Sequence, residues 1–277
     1  MTLSPSPATP PRLSAPAPAG APRPRPSEVL SAGLDRDRRT RELVEQLIAE
    51  PSRLGPDFTP IRRIGTGAPS ALPLVGWKAT GRGDAGSSLA TTLQLLHEAA
   101  SLGLVERLDW AFRCHAFDVA LDSGMVGELH ITPEPETFGT ACPPRLAVSW
   151  LRGRRALDIC AELHEDAFDD RDRLLAAADE MAGWGWHLVV ADVSGTPAQS
   201  AAELLMPRLR PAYVQVDLSR LRRDDAASRR LLDAGREAGA TVLAVGVTTQ
   251  ADLDAADALG ALHVRGPLVG HASSRPV

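Results

Sequence analysis

Short apolar runs alternate with amphipathic segments through the second half of the chain. The apolar runs lie near 157–163, 187–193, 212–217, 241–247 and 261–265, with helix-like segments near 170–183, 198–207, 225–238 and 250–259. Such alternation is typical of parallel strands that are joined by crossover helices. Because about eight strand signals fit into one domain, the pattern predicts a closed β/α barrel. Composition alone leaves a doubly wound open sheet as the alternative.

The chain begins with a segment that cannot form a core. Residues 1–27 are mostly proline, alanine, serine and arginine, and no acidic residue precedes Glu28. We predict that this tail is disordered, because its composition buries too little surface to offset the entropy of ordering. Apolar side chains then recur at near-helical spacing, which predicts a helix over 28–50 within a lead-in segment 28–54. Pro51 ends that helix.

A hairpin is predicted between the lead-in helix and the regular alternation. Its strands are expected over 58–64 and 72–77, on either side of the turn Gly65-Thr66-Gly67. The stretch 89–121 has a helical pattern with one break, and a short strand is expected over 128–132. The barrel therefore begins with an element that differs from its later repeats.

Composition and charge narrow the class of protein. The 277 residues carry a net charge of −5 and are 44% hydrophobic, which suits one large domain and gives no reason to expect nucleic acid or an anionic membrane as partner. Cys114, Cys142 and Cys160 are odd in number and widely spaced. Neither a disulfide framework nor a CxxC zinc motif follows, so a reducing cytoplasm is the expected location. We expect neither a membrane span nor a signal peptide, because no apolar run has the required length.

Polar residues close several of the apolar runs. Glu162, Asp192, Gln215 and Asp217 each stand at or near the end of a predicted strand. In a β/α barrel the loops that follow the strand carboxyl ends form the rim that carries the active site. These residues therefore mark the candidate functional site.

Motifs at these strand ends occur in a characteristic order. They are Phe58-Thr59-Pro60-Ile61 with Thr66-Gly67, Glu134-Pro135-Glu136-Thr137-Phe138, Glu162-Leu163-His164-Glu165, Ala191-Asp192-Val193-Ser194-Gly195, Arg210-Pro211 with Gln215-Val216-Asp217, Val245-Gly246-Val247-Thr248-Thr249 and Arg265-Gly266-Pro267. This series resembles the EAL-type phosphodiesterases, which open the bacterial second messenger cyclic di-GMP. The resemblance covers about residues 55–270. It implies an EAL-type, TIM-like (β/α)8 barrel over 55–272 whose first strand is antiparallel.

The resemblance also implies a site for two divalent metal ions, Mg²⁺ or Mn²⁺, held by carboxylates that activate water for attack on a phosphodiester. Most positions of that site carry other residues here. By the resemblance, Pro73 stands at the position of the signature Glu, Trp77 or Lys78 near that of the phosphate-holding Arg, and Thr132 or His130 at that of the metal-binding Asn. Ala191 stands at the position of the first Asp, and Gln215 at that of the Lys. Val245 and Thr248 stand at the positions of two later Glu, and Arg265 at that of the ligand-contacting Gln. We therefore predict no catalytic residue and loss of the Mg/Mn site, so that no cofactor is expected.

Three acids remain at positions that the resemblance assigns to the ancestral metal site: Glu162, Asp192 and Asp217. The candidate ligand-binding residues are Lys78, Gln215 and Arg265, because cations suit phosphates. We predict that Arg265 turns into the former metal pocket and pairs with a leftover acid. His130 and His164 beside Glu162 offer a different metal site, for instance for zinc, although such imidazoles more often serve as hydrogen-bonding groups.

The sequence thus predicts a catalytically inactive EAL-domain protein that acts as a protein-interaction or regulatory module in cyclic di-GMP-type signalling. Its expected partner is an unidentified protein, with a homodimer through the loop 193–197 as a further option. One alternative is a receptor that binds cyclic di-GMP weakly without hydrolysing it. A residual cyclic di-GMP phosphodiesterase is the less favoured alternative.

Overall fold

A computed structural model of the protein describes residues 26–83, 86–191, 196–221 and 226–276. The chain divides into two compact units, one that ends at Arg39 and one that extends from Thr40 to Val277. The prediction of a disordered tail falls, up to residue 25, outside the described residues. None of the described helices combines the length and the apolar character that a bilayer crossing needs.

Nine α-helices are described, with short 3-10 turns between some of them. They are α1 (Pro26–Ala49), α2 (Thr92–Ser101), α3 (Val105–Asp122), α4 (Ala147–Ala156), α5 (Arg171–Gly183), α6 (Thr196–Leu209), α7 (Leu218–Leu221), α8 (Ala226–Glu237) and α9 (Gln250–Ala258). The predicted lead-in helix is confirmed as α1, which ends just before Pro51. The sequence pattern gave no sign of α4.

The strands form one closed barrel in sequence order. They are β1 (Gly55–Arg63), β2 (Leu74–Arg82), β3 (Glu128–Ile131), β4 (Asp158–Leu163), β5 (His187–Ala191), β6 (Tyr213–Asp217), β7 (Thr241–Val245) and β8 (His263–Arg265). Strand β1 pairs antiparallel with both β2 and β8, and the other neighbouring strands pair in parallel. The predicted fold class is confirmed, including the reversed first strand.

Strand β2 differs from its prediction. The sequence pattern ended it at Trp77, but it continues to Arg82 through Gly81. The reason is its antiparallel pairing with β1, which runs from Gly55 opposite Arg82 to Arg62 opposite Leu74. Pairing with a long partner overrides the low strand propensity of glycine.

Apolar side chains occupy two separate layers. The larger one lies between the strands and the helices and contains, among others, Ile131, Leu163, Val190 and Val264. The smaller one lies inside the barrel and contains Ile61, Cys160, Val189, Ala191, Tyr213 and Leu243. Since successive side chains of a strand point to opposite faces, β1, β4, β5, β6 and β7 each contribute buried residues to both layers. This alternation decides which residues reach the barrel interior.

Candidate functional site

Glu162 is the centre of the candidate site. It lies near the carboxyl end of β4, where Ile159, Ala161 and Leu163 belong to the outer apolar layer. Strand alternation therefore turns Glu162 and Cys160 into the barrel. Glu162 is completely buried, and a carboxylate in that position needs compensating partners.

Two cations from other strands provide that compensation. Lys78 Nζ of β2 lies 2.6 Å from Glu162 Oε2, and Arg265 Nη1 of β8 lies 3.1 Å from Oε1. Both contacts cross the barrel interior, because neither β2 nor β8 is a neighbour of β4. The predicted pairing of Arg265 with a leftover acid is confirmed, and its partner is Glu162. Lys78 also donates to Thr132 Oγ1, and Arg265 Nη2 donates to Gln215 Oε1 at 3.2 Å.

These contacts set the protonation of the pair. Burial by itself would raise the pKa of Glu162, but Lys78 and then Arg265 outweigh it, so the pKa lies well below its ordinary value. Burial lowers the pKa of Lys78, while the charge of Glu162 opposes that change. Glu162 is thus ionised, and its negative charge is compensated by Lys78 and Arg265.

The two histidines singled out in the sequence both reach Glu162. His130 Nδ1 lies 3.2 Å from Glu162 Oε1, and His164 Nε2 lies 3.7 Å from Oε2. His130 is completely buried, whereas the side chain of His164 is 44% exposed. Of the six site residues predicted from the sequence, the structure brings Lys78, Gln215 and Arg265 together around Glu162.

The other two predicted remnant acids do not join this cluster. Asp217 ends β6, and its Oδ1 accepts a hydrogen bond from the backbone N–H of Ser219 at 2.7 Å. Within the described ranges it forms no ion pair with Lys78 or Arg265. Asp192 lies outside the described residues. Glu162 is thus the acid around which the described part of the site is built.

A second group of acids lines a cavity at the same mouth. Thr132, Glu134, His164 and Asp166 are among the residues that line this cavity. Burial raises the pKa of Glu134 to about 7, and the carboxylates of Asp109, Glu136 and Asp166 add to the effect. The acidic groups of this wall, Glu134 and Asp166, disfavour an anionic ligand when they are ionised.

Sequence reasoning missed a polar cluster deeper in the barrel. Tyr213 O–H donates to Glu128 Oε1 at 2.8 Å, although β6 and β3 are not neighbours. Glu128 Oε2 lies 3.3 Å from His130 Nε2, so this cluster continues to Glu162 through the imidazole. The available signal was the alternation itself, since Glu128 and His130, like Cys160 and Glu162, are two positions apart.

A closed eight-stranded barrel whose first strand opposes both neighbours, with polar groups gathered at one mouth, is the architecture of EAL domains. No protein-family model and no curated protein matches the sequence. Solved EAL structures do match. The Xanthomonas citri FimX EAL domain in complex with c-diGMP superposes with a TM-score of 0.69 at 15% identity, and the match covers 88% of this chain and 96% of that one.

Two further solved structures give the same picture. The PaMucR phosphodiesterase in its c-di-GMP complex matches with a TM-score of 0.63 at 23% identity, over 82% of this chain and 94% of that one. The FimX EAL domain from Pseudomonas aeruginosa, bound to c-di-GMP, matches with a TM-score of 0.68 at 14% identity, over 86% and 98%. The chain therefore has the EAL fold.

Proposed function

We propose that this protein is a non-catalytic EAL-type barrel that acts as a protein-interaction or regulatory module in cyclic di-GMP signalling in the cytoplasm. The proposal rests on one observation, namely that the buried carboxylate of Glu162 is paired with two cations of the protein. This carboxylate is held by Lys78 at 2.6 Å and by Arg265 at 3.1 Å. A metal ligand in a working site would instead present its charge to the metal.

The residues at this mouth do not fit a pair of divalent ions. A dication next to Glu162 would have to displace two cations, or lie within a few ångströms of them, where repulsion in a buried site is strong. The position that the resemblance assigns to the metal-binding Asn carries Thr132 or His130, and these side chains contact Lys78 and Glu162 instead. We therefore infer that the ancestral Mg/Mn site is lost, and we route no reaction through it.

The exposed face of α4 offers one surface for a protein partner. Val148 and Leu151, three residues apart on that helix, are 71% and 41% exposed. Residues at this spacing share a helix face. In a pull-down with the full chain as bait, partners that bind here would be lost with Val148→Glu/Leu151→Glu. They would be retained with Leu204→Glu, which changes a leucine on α6 that is 81% exposed.

A turnover assay on the purified full chain tests the catalytic part of the proposal. We expect no hydrolysis of cyclic di-GMP with either Mg²⁺ or Mn²⁺, measured beside an active EAL phosphodiesterase as positive control. Metal-dependent hydrolysis that disappears with Glu162→Ala would overturn the proposal and establish the residual phosphodiesterase instead.

The second candidate function is a non-hydrolysing receptor for cyclic di-GMP. What favours it is that EAL domains of the same fold, those of the two FimX proteins, were solved with this ligand bound. Two observations oppose it. Lys78 and Arg265 form ion pairs with Glu162, so they are not available to bind the phosphates of the ligand. Acidic side chains also lie at the mouth of the barrel.

Calorimetry with cyclic di-GMP, with and without Mg²⁺, separates these two functions. The interaction-module proposal predicts no heat of binding. Micromolar binding that weakens with Arg265→Met, but not with Arg171→Met on the exposed surface of α5, would establish the receptor.

A further inference from the structure

A second set of potential ligand groups lies inside the barrel, toward the amino ends of the strands. Glu128 is the first residue of β3, His130 follows two positions later, and Cys160 faces them from β4. One ligand atom from each of the three residues lies within 4.8 Å of those from the other two. His130 and Cys160 are completely buried, and the side chain of Glu128 is 19% exposed. Glu128 is thus the member of this set that contacts solvent.

The orientation of His130 matches that of a metal-binding imidazole. Its Nδ1 faces Glu162 Oε1 at 3.2 Å, and its Nε2 faces Glu128 Oε2 at 3.3 Å. Neutral imidazole carries one proton, so when one nitrogen donates to a carboxylate the other nitrogen has a lone pair that can bind a cation. A carboxylate on the far nitrogen is the arrangement that orients histidine ligands in metal sites, and Glu162 provides it here.

The spacing also suits a small ion. Two ligands at about 2.0–2.1 Å from a tetrahedral ion lie roughly 3.3 Å from each other, which is the distance between Glu128 Oε2 and His130 Nε2. Tyr213 O–H donates to both oxygens of Glu128, at 2.8 and 2.9 Å, and so fixes that carboxylate in place. The Cys160 sulfur, within 4.8 Å of a ligand atom of Glu128 and of one of His130, supplies the third potential ligand.

A neighbouring buried atom lacks the partner that a folded interior normally provides. His263 of β8 is 7% exposed, and its Nδ1 has no hydrogen-bond partner among the described residues. Its ring lies 5.5 Å from that of Tyr213, which in turn lies 5.5 Å from His130. Buried polar atoms are nearly always paired, so this end of the interior is incompletely satisfied by the protein alone.

We propose that Glu128, His130 and Cys160 form a binding site for one thiophilic divalent transition-metal ion, of which zinc is the representative. The mixed oxygen, nitrogen and sulfur donors select this class over Mg²⁺ and Ca²⁺, which require oxygen ligands. The fourth position is open to water from the exposed side of Glu128. This site lies toward the amino ends of the strands and adjoins the ancestral one through His130, whose Nδ1 faces Glu162, but its test does not depend on the proposed function.

Metal binding here exchanges a proton for the ion. Burial and the nearby carboxylate of Glu128 raise the pKa of Cys160, so its sulfur is a thiol when no cation is present. The S–H bond breaks, a metal–sulfur bond forms, and the proton leaves to solvent with no change of oxidation state. Binding should therefore weaken as the pH falls.

Cobalt provides the most direct probe, because Co²⁺ occupies zinc sites and a bound thiolate gives it a charge-transfer absorption band. We expect the purified full chain to bind one equivalent of Co²⁺, to show this band, and to exchange the ion for one equivalent of Zn²⁺. Cys160→Ser should abolish the band and weaken Zn²⁺ binding at least about tenfold, by comparison with the loss on mutating even an outer partner of a ligand.

The control is Cys142→Ser, because Cys142 packs in the outer layer and its thiol contacts the backbone of Pro143. This variant should keep both the band and the affinity. Zn²⁺ should also raise the melting temperature of the wild type and of Cys142→Ser, but not that of Cys160→Ser. Failure of the wild type to bind a stoichiometric ion, or a band that survives Cys160→Ser, would overturn the proposal.

Discussion

The barrel interior and the outer layer around Trp150 bury side chains of opposite character. Inside the barrel, charged and polar groups meet across strands, as Glu162 meets Lys78 and Arg265. In the outer layer, Trp150 of α4 packs edge-on against Trp110, Trp184 and Trp186, with ring centroids 4.9 to 5.4 Å apart.

The two regions therefore contribute differently to the stability of the fold. The outer layer is largely apolar, although the buried Asp109–Arg113 ion pair packs beside Trp110, and it stabilises the barrel mainly through area burial and aromatic contacts. A buried ion pair contributes little net stability because desolvation offsets attraction. The polar groups of the interior can therefore vary without loss of the fold, because the outer layer stabilises it.

The largest expected effect comes from the outer layer. Trp150→Ala removes the ring that the other three tryptophans contact, and we expect the free energy of unfolding to fall by about 5 kcal/mol. Urea denaturation followed by circular dichroism measures this loss. Trp150→Phe, which keeps a ring, should recover at least half of it. A loss below about 1 kcal/mol for Trp150→Ala would contradict the role given to this layer.

Removing the central charge of the interior should have the next largest effect. Glu162→Gln leaves Lys78 and Arg265 without their carboxylate, so we expect a loss of about 3 kcal/mol. Glu237→Gln on exposed α8 is the control and should be neutral. If the triple variant Lys78→Met/Glu162→Gln/Arg265→Met is no more stable than Glu162→Gln alone, unpaired charge is not the cause of the loss.

Close packing between α3 and α4 gives a smaller effect. A Cβ added at Gly153 would overlap the ring of Phe117, so Gly153→Ala should lower the free energy of unfolding by about 2 kcal/mol. Gly183 is also helical, but a Cβ there would meet no atom within 4 Å. Gly183→Ala should therefore be neutral or slightly stabilising. Equal effects of the two substitutions in thermal melts would contradict this packing argument.

The smallest expected effect is a pH dependence at the mouth. The pKa of Glu134 rises from an ordinary 4.5 to about 7 in the folded protein, so the folded state holds this proton more tightly than the unfolded state does. Its contribution to stability is full below pH 4.5 and is lost as the pH rises toward 7. We expect about 1 kcal/mol, because partial exposure screens the interaction.

Denaturation midpoints between pH 4.5 and 7.5 measure this dependence. Glu134→Gln should flatten the profile by that amount relative to the wild type. The exposed Glu237→Gln should leave it unchanged. A profile of the same slope in all three proteins would show that Glu134 titrates normally.

Much of this architecture is readable from the sequence, because each β/α unit carries its own hydrophobic period. The strands β4 to β8 and the helices between them, except the short α7, follow from that local signal. Helix α4 was missed because it is rich in arginine, and its burial depends on Trp150 alone among its large side chains. Such a helix is specified by tertiary packing more than by pattern.

Some contacts of the candidate site can likewise be predicted from the sequence, and others cannot. Glu162 and Arg265 are found from their places at strand ends, and their pairing follows from the chemistry of opposite charges. The contact of Tyr213 with Glu128 is not predictable from either strand alone, since β6 and β3 are apart in the barrel order. Only closure of the barrel brings them together.

Anomalous diffraction from crystals of the full chain soaked in Mn²⁺ tests the central claim most directly. Because Glu162 is held by Lys78 and Arg265, we expect no manganese peak at the carboxyl ends of the strands. Two manganese ions side by side at Glu162, with both cations displaced, would contradict it.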